Sequence, residues 1–90
     1  MTTAIALIHA DQKLLNAVGE QLAGISGITE VYSVGGQFDF VAIMRLPDNE
    51  SLAELVTEKI TKIEGINKTE TMVAFRAFSR YDLAAMFDIS

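Results

Sequence analysis

The side chains able to do chemistry in this chain are few and widely spaced. His9 is the single histidine, and Asp11 stands close by. An aspartate–histidine pair can move a proton, but without a nucleophile at a matching spacing it makes no triad. With no cysteine and no second histidine, the chain also lacks the usual ligands of a metal site. Asp39 is better placed. It follows Gly35, Gly36 and Gln37 and sits within an apolar run of Phe38, Phe40, Val41, Ala42, Ile43 and Met44. A carboxylate at the mouth of a buried strand is costly unless something pairs with it. That partner is either a backbone N–H of the same turn or the amino group of a small ligand. Thr69 and Thr71 are two apart, so they share one face of a strand. Hydroxyls at that spacing either hold a small polar ligand or serve as ordinary β-branched strand residues. Glu58 and Lys62 have i,i+4 spacing and read as a solvated helix face. No phosphate-binding loop, dinucleotide fingerprint or paired acids occur. No catalytic residue, metal ligand or cofactor is expected.

Composition narrows the classes further. The formal net charge is -5 and the pI about 4.6. Duplex affinity depends on phosphate neutralisation by Lys and Arg, so direct nucleic-acid binding is not expected from such a chain. Its seven basic residues are scattered, with no aromatic–basic interleaving. The N-terminus has no basic segment followed by a long apolar run. No stretch nears the roughly 18 apolar residues of a membrane span. The expectation is a soluble, cytoplasmic, single-domain protein over residues 1–90. Half of those residues are hydrophobic, and the mean hydropathy is +0.30. Small domains bury a smaller fraction of their surface, so this much apolar matter predicts self-association.

The elements that must position these residues follow from periodicity. Residues 3–9 form a strand apolar on both faces, with Ala4, Ile5, Ala6, Leu7 and Ile8. Asp11 caps a helix whose stripe is Leu14, Leu15, Val18, Leu22 and Ile25, ended by Gly24 and Gly27. Residues 28–34 and 38–46 are strands joined through Gly35 and Gly36, which predicts a hairpin. Pro47 to Glu50 opens a second helix, capped by Ser51 with Glu54 or by Asp48 or Asn49. Its stripe is Leu52, Leu55, Val56, Ile60 and Ile63, and Gly65 stops it. Residues 67–80 form a fourth strand, with Met72 and Met44 as packing residues. In the tail, residues 81–90, the side chains of Leu83, Met86 and Phe87 are expected to bury in oligomer contacts or against the helices of the same subunit.

A repeat runs through this order. Ile25-Ser26-Gly27-Ile28 recurs as Ile63-Glu64-Gly65-Ile66, 63 − 25 = 38 residues later. Two β-α-β units with right-handed crossovers give an α+β, ferredoxin-like β-α-β-β-α-β sandwich. Its four-stranded antiparallel sheet carries both helices on one face. The other face is apolar and needs a second layer, which predicts a homodimer with sheets packed face to face, a dimeric α+β barrel-type assembly.

The element order, the Gly36-Gln37-Phe38-Asp39-Phe40 turn, the Ile63-Glu64-Gly65-Ile66 helix exit and Thr69-Glu70-Thr71 together resemble the effector-binding (RAM) domain of the Lrp/AsnC family. That family's turn reads Gly-any-aromatic-Asp and its last strand opens Thr-any-Thr. The likeness spans residues 3–80. It implies a regulatory module that binds an amino-acid effector at subunit seams, with dimers assembling to octamers or decamers. By this resemblance the ligand-binding residues are Gly35, Gly36, Gln37, Phe38, Asp39, Thr69 and Thr71. Position 35 is often a hydroxyl residue in the family and is glycine here. Family members usually carry an N-terminal helix-turn-helix domain, whereas this chain opens its first strand almost at Met1. The resemblance therefore implies a stand-alone form that does not bind DNA itself and co-assembles with full-length relatives. The alternative is a small dimeric α+β barrel enzyme, monooxygenase- or isomerase-like, using His9 in a cleft between helices and sheet. A purely structural oligomer, in which Asp39 fixes its own turn, is the third reading.

Overall fold

A computed structural model of the chain describes residues 1–78. The elements are β1 (Thr2–Ala10), α1 (Leu15–Ala23), β2 (Ile28–Ser33), β3 (Phe40–Leu46), α2 (Asn49–Glu54) and β4 (Ile66–Ala74). They form one four-stranded sheet in the order β2-β3-β1-β4, antiparallel at every pairing. The β-α-β-β-α-β order and the β2–β3 hairpin are as expected. Two strand boundaries differ by more than one residue. β3 begins at Phe40, because Phe38 and Asp39 are drawn into the turn, and β4 ends at Ala74. The expectation for the tail, residues 81–90, lies outside the described residues.

Side-chain caps start α2 and the 3-10 turn that precedes α1. Asp11 accepts from the Lys13 N–H at 2.9 Å, opening a single 3-10 turn (Gln12–Leu14) that leads into α1. Asp48 accepts from the Ser51 N–H at 2.7 Å and is the cap of α2. That backbone bond, with help from the Ser51 side chain, holds the Asp48 carboxyl below its ordinary range.

α2 passes into a wider π-turn over Leu55–Ile60, closed by the Thr61 N–H on the Val56 carbonyl at 3.2 Å. The sequence explains the widening. Leu55 and Ile60 are both buried yet five apart, and on a regular helix they would diverge by about 140°. The wider turn brings both inward. Thr57 and Thr61 add hydroxyl bonds to the carbonyls of Ala53 and Thr57, at 2.8 and 2.7 Å, which favour a bent helix.

β1 alternates strictly. Ala4, Ala6, Ile8 and Ala10 are buried against the helices, while Ile5, Leu7 and His9 on the opposite face are half-buried. β3 repeats the pattern, with Phe40, Ala42, Met44 and Leu46 inward. The three alanines at the centre of β1 and β3 let the helices approach, and Val18, Leu22, Leu52, Leu55 and Ile60 fill the space above. Each fully buried aliphatic side chain there contributes roughly 1.5–3 kcal/mol. The open face carries Ile5, Leu7, Val41 and Ile43, flanked by Tyr32 and Met72 at 50% and 48% exposure. β4 supplies none of the buried core, since Val73 on its helix side remains 45% exposed.

The repeat is visible in three dimensions. Gly27 and Gly65 share a φ of 102° at the two helix exits, a conformation that L side chains rarely adopt. Each presents its carbonyl to a neighbouring strand end. Gly27 accepts from the Arg45 N–H at 2.8 Å, and Gly65 accepts from the Asp11 N–H at 2.7 Å.

Candidate ligand site at the glycine–aspartate turn

The hairpin between β2 and β3 is closed by the Val34 N–H donating to the Asp39 carbonyl at 3.0 Å. The Asp39 N–H donates to the Ile8 carbonyl at 2.9 Å, so the turn is sewn onto the end of β1. The Asp39 side chain continues the seam. One carboxylate oxygen accepts from the Ala10 N–H at 2.8 Å and the other from the Gln12 side-chain amide at 3.1 Å. Its partner is therefore a backbone N–H, as one of the two readings of the carboxylate held, but from the neighbouring strand and not from the same turn. Gln12 is the site residue that periodicity missed. It lies 27 residues away, and only the return of β1 beside β3 brings it close.

Between these anchors the loop is open. Gly35, Gly36 and Gln37 are exposed, and a Cβ added at Gly35 or Gly36 would meet nothing within 4 Å. Gly36 has a φ of 119°, which keeps glycine favoured there. Among the described residues, the N–H groups of Gly35, Gly36 and Gln37 donate to no backbone carbonyl. Phe38 turns to the open face of the sheet and stacks on His9, with ring centroids 4.4 Å apart and planes at 28°. This corrects the His9 alternative. The imidazole lies on the face away from the helices, because Ile8 and Ala10 take the inward positions, so it opens into no cleft between helices and sheet.

Thr69 and Thr71 share a face, as the spacing requires, and it is the helix side. They pair with Ile8 and Ala6 on β1. Ile8 also pairs with Phe40, so Thr69 and the turn flank one end of β1 from opposite sides. Two strand spacings separate them, roughly 10 Å. Thr69 is half-buried and lines a groove of about 180 Å³ with Thr61, Ile66, Asn67 and Lys68, in which the turn takes no part. Thr71 is exposed one step further from the turn. Among the described residues, the turn and the threonine pair thus lie on opposite sides of β1, and the groove at Thr69 is not lined by the turn. Among the described residues, no group of three His, Asp or Glu side chains could hold a metal ion. No helix there is long and apolar enough to cross a membrane.

This sheet, its two helices and the glycine–aspartate hairpin at the strand ends define a small ferredoxin-like α+β module. The Lrp/AsnC ligand-binding domain model matches residues 3–83, and the chain belongs to that family. It is 38% identical over 77 residues to PF0250 of Pyrococcus furiosus, an uncharacterized HTH-type transcriptional regulator; the match covers 82% of this chain and 51% of that protein. The chain thus spans about half the length of the curated relatives it matches. Among solved structures, TTHA0845 from Thermus thermophilus superposes with a TM-score of 0.84 at 45% identity, covering 89% of this chain and 100% of that one. The transcriptional regulator NMB0573 of Neisseria meningitidis, crystallised as a complex with L-Met, shares the fold with a TM-score of 0.80 at 7% identity, over 88% of this chain and 53% of that one. The curated relatives are named as HTH-type transcriptional regulators.

Proposed function

We propose that this chain senses a free amino acid and passes its occupancy to a regulatory assembly, without itself contacting DNA. The observation that carries the reading is the Gly35–Gln37 loop, fixed at both ends yet open in the middle. Successive free N–H groups in such a loop suit a carboxylate. A carboxylate side chain has about four lone-pair sites. Asp39 uses one on each oxygen, so it retains capacity for an ammonium group while still fixing the turn. Gly35, Gly36, Gln37, Phe38 and Asp39 would then hold the backbone of the ligand, and Thr69 and Thr71 would come from across a subunit seam, since β1 lies between them and the turn in one protomer. The net charge of -5 argues against direct DNA contact.

The same reading includes the assembly. The open sheet face, with Ile5, Leu7, Val41, Ile43 and Met72, pairs with that of a second copy, and dimers associate into octamers or decamers in the cytoplasm. Full-length relatives bearing a helix-turn-helix domain are the partners that reach DNA.

Thermal-shift screening of the twenty amino acids tests the sensing role. L-methionine is the first to try, because a neighbour in fold was crystallised with it. A rise in melting temperature with at least one amino acid, lost in Gly36→Val, is the expected result. No rise with any of them at millimolar levels would sink the reading.

A further inference from the structure

Gln12 reaches the glycine–aspartate turn from outside it. Its side-chain Nε2 donates to the Asp39 Oδ1 at 3.1 Å, while the Ala10 N–H takes the other carboxylate oxygen at 2.8 Å. The two bonds differ in setting. The Ala10 bond is part-buried, whereas the Gln12 bond is exposed. An exposed bond between side chains contributes little to the fold, since water can replace either partner. The backbone that carries Gln12 is held without its side chain. The Asp11 N–H donates to the Gly65 carbonyl at 2.7 Å and the Leu14 N–H to the Asp11 carbonyl at 2.9 Å. The Asp11 carboxylate accepts the Lys13 N–H at 2.9 Å. Gln12 is thus an exposed side chain on a fixed stem.

An amide group has two ends, a nitrogen that donates and an oxygen that accepts. A carboxylate can only accept, so Nε2 is the end that meets Asp39 and Oε1 is the end left over. Among the described residues, Oε1 accepts no hydrogen bond. It is bonded to the same carbon as Nε2, so it adjoins the Asp39 oxygen. An unused acceptor beside a carboxylate suits a primary ammonium, which has three donors to place and a charge that strengthens each bond.

We infer that Gln12 is a further binding residue of this site: its Nε2 positions the Asp39 carboxylate, and its Oε1 accepts directly from the ammonium of a free amino acid. The inference rests on the proposed amino-acid reading and narrows it to ligands with an unsubstituted amino group. Isothermal titration of the full chain with each of the twenty amino acids, L-methionine first, tests it, alongside thermal melting of the ligand-free protein. Gln12→Glu keeps an acceptor and loses the donor, whereas Gln12→Lys keeps a donor and loses the acceptor. Affinity for an amino acid that binds the parent should fall about threefold in Gln12→Ala and about tenfold in Gln12→Lys, and should hold or rise in Gln12→Glu. Melting of the free protein should run the other way. Gln12→Lys should match or exceed the parent, and Gln12→Glu should fall below it, because two carboxylates repel. The N-acetyl derivative of the same amino acid should not bind. Affinities that follow the melting temperatures across the three variants would reduce Gln12 to a positioning residue and overturn the inference. So would affinities unchanged in all three, or binding of the N-acetyl form. No heat with any amino acid would sink the amino-acid reading and this inference with it.

Discussion

Asp39 is the residue on which the two uses of the turn meet. It accepts from the Ala10 N–H and the Gln12 amide, so its first role is to fasten the hairpin to β1. Asp39→Ala would leave the part-buried Ala10 N–H without its partner, and such a loss costs about 1–3 kcal/mol. Denaturant unfolding should show that decrease whether or not ligand is present. Asp39→Asn keeps an acceptor for the Ala10 N–H but loses the charge. It should recover most of the stability while losing the amino-acid response. Equal ligand response in Asp39→Asn and the parent would assign the carboxylate to the fold alone. The sequence made Asp39 conspicuous, as a charge at the head of an apolar strand. Its partners were not legible, because Ala10 lies 29 residues away and meets it only through strand pairing.

At the scale of elements, the helix exits are the most constrained points. A Cβ on Gly65 would lie 3.0 Å from Val18 and 3.1 Å from Leu14, at a φ of 102°. Gly65→Ala should therefore lower stability by about 1–3 kcal/mol, from backbone conformation and crowding together. Gly35→Ala meets open space and serves as the control. A similar melting temperature for both variants would refute the assignment of Gly65 as a packing point. These exits were readable, because glycine after an apolar helical stripe signals a stop. The π-turn was not. A stripe containing both Leu55 and Ile60 fits a helix only if one turn widens, and periodicity alone does not say where. β4 also ends earlier than its sequence suggests. Met72, Val73, Phe75 and Phe78 look like one long apolar strand in sequence, but the ladder with β1 ends at Thr3↔Ala74, one residue from the start of β1.

At the scale of the molecule, an apolar sheet face remains open beside a well-filled core. Under the proposed assembly, Ile43→Glu places a charge at the centre of that face while leaving the helix side untouched. Multi-angle light scattering should show the mass of the variant falling toward the 9.8 kDa of one chain. An unchanged mass would place the subunit contact elsewhere. The open apolar face was legible in β1, which is aliphatic on both faces. How two copies would meet under the proposed assembly was not, because nothing in one chain encodes the angle between them. One relation links the chain to its own sheet. The repeat is offset by 38 residues, and Ile5 pairs with Ile43, which is 43 − 5 = 38 residues on. Equivalent positions of the two halves therefore face each other at the middle of the β1–β3 ladder, and an approximate two-fold axis passes between them. The number that measures the duplication also sets the register. Inserting one residue between Ile5 and Ile43 would require the loops to absorb it, or the halves would lose their common axis and β1 would turn its alanines toward solvent.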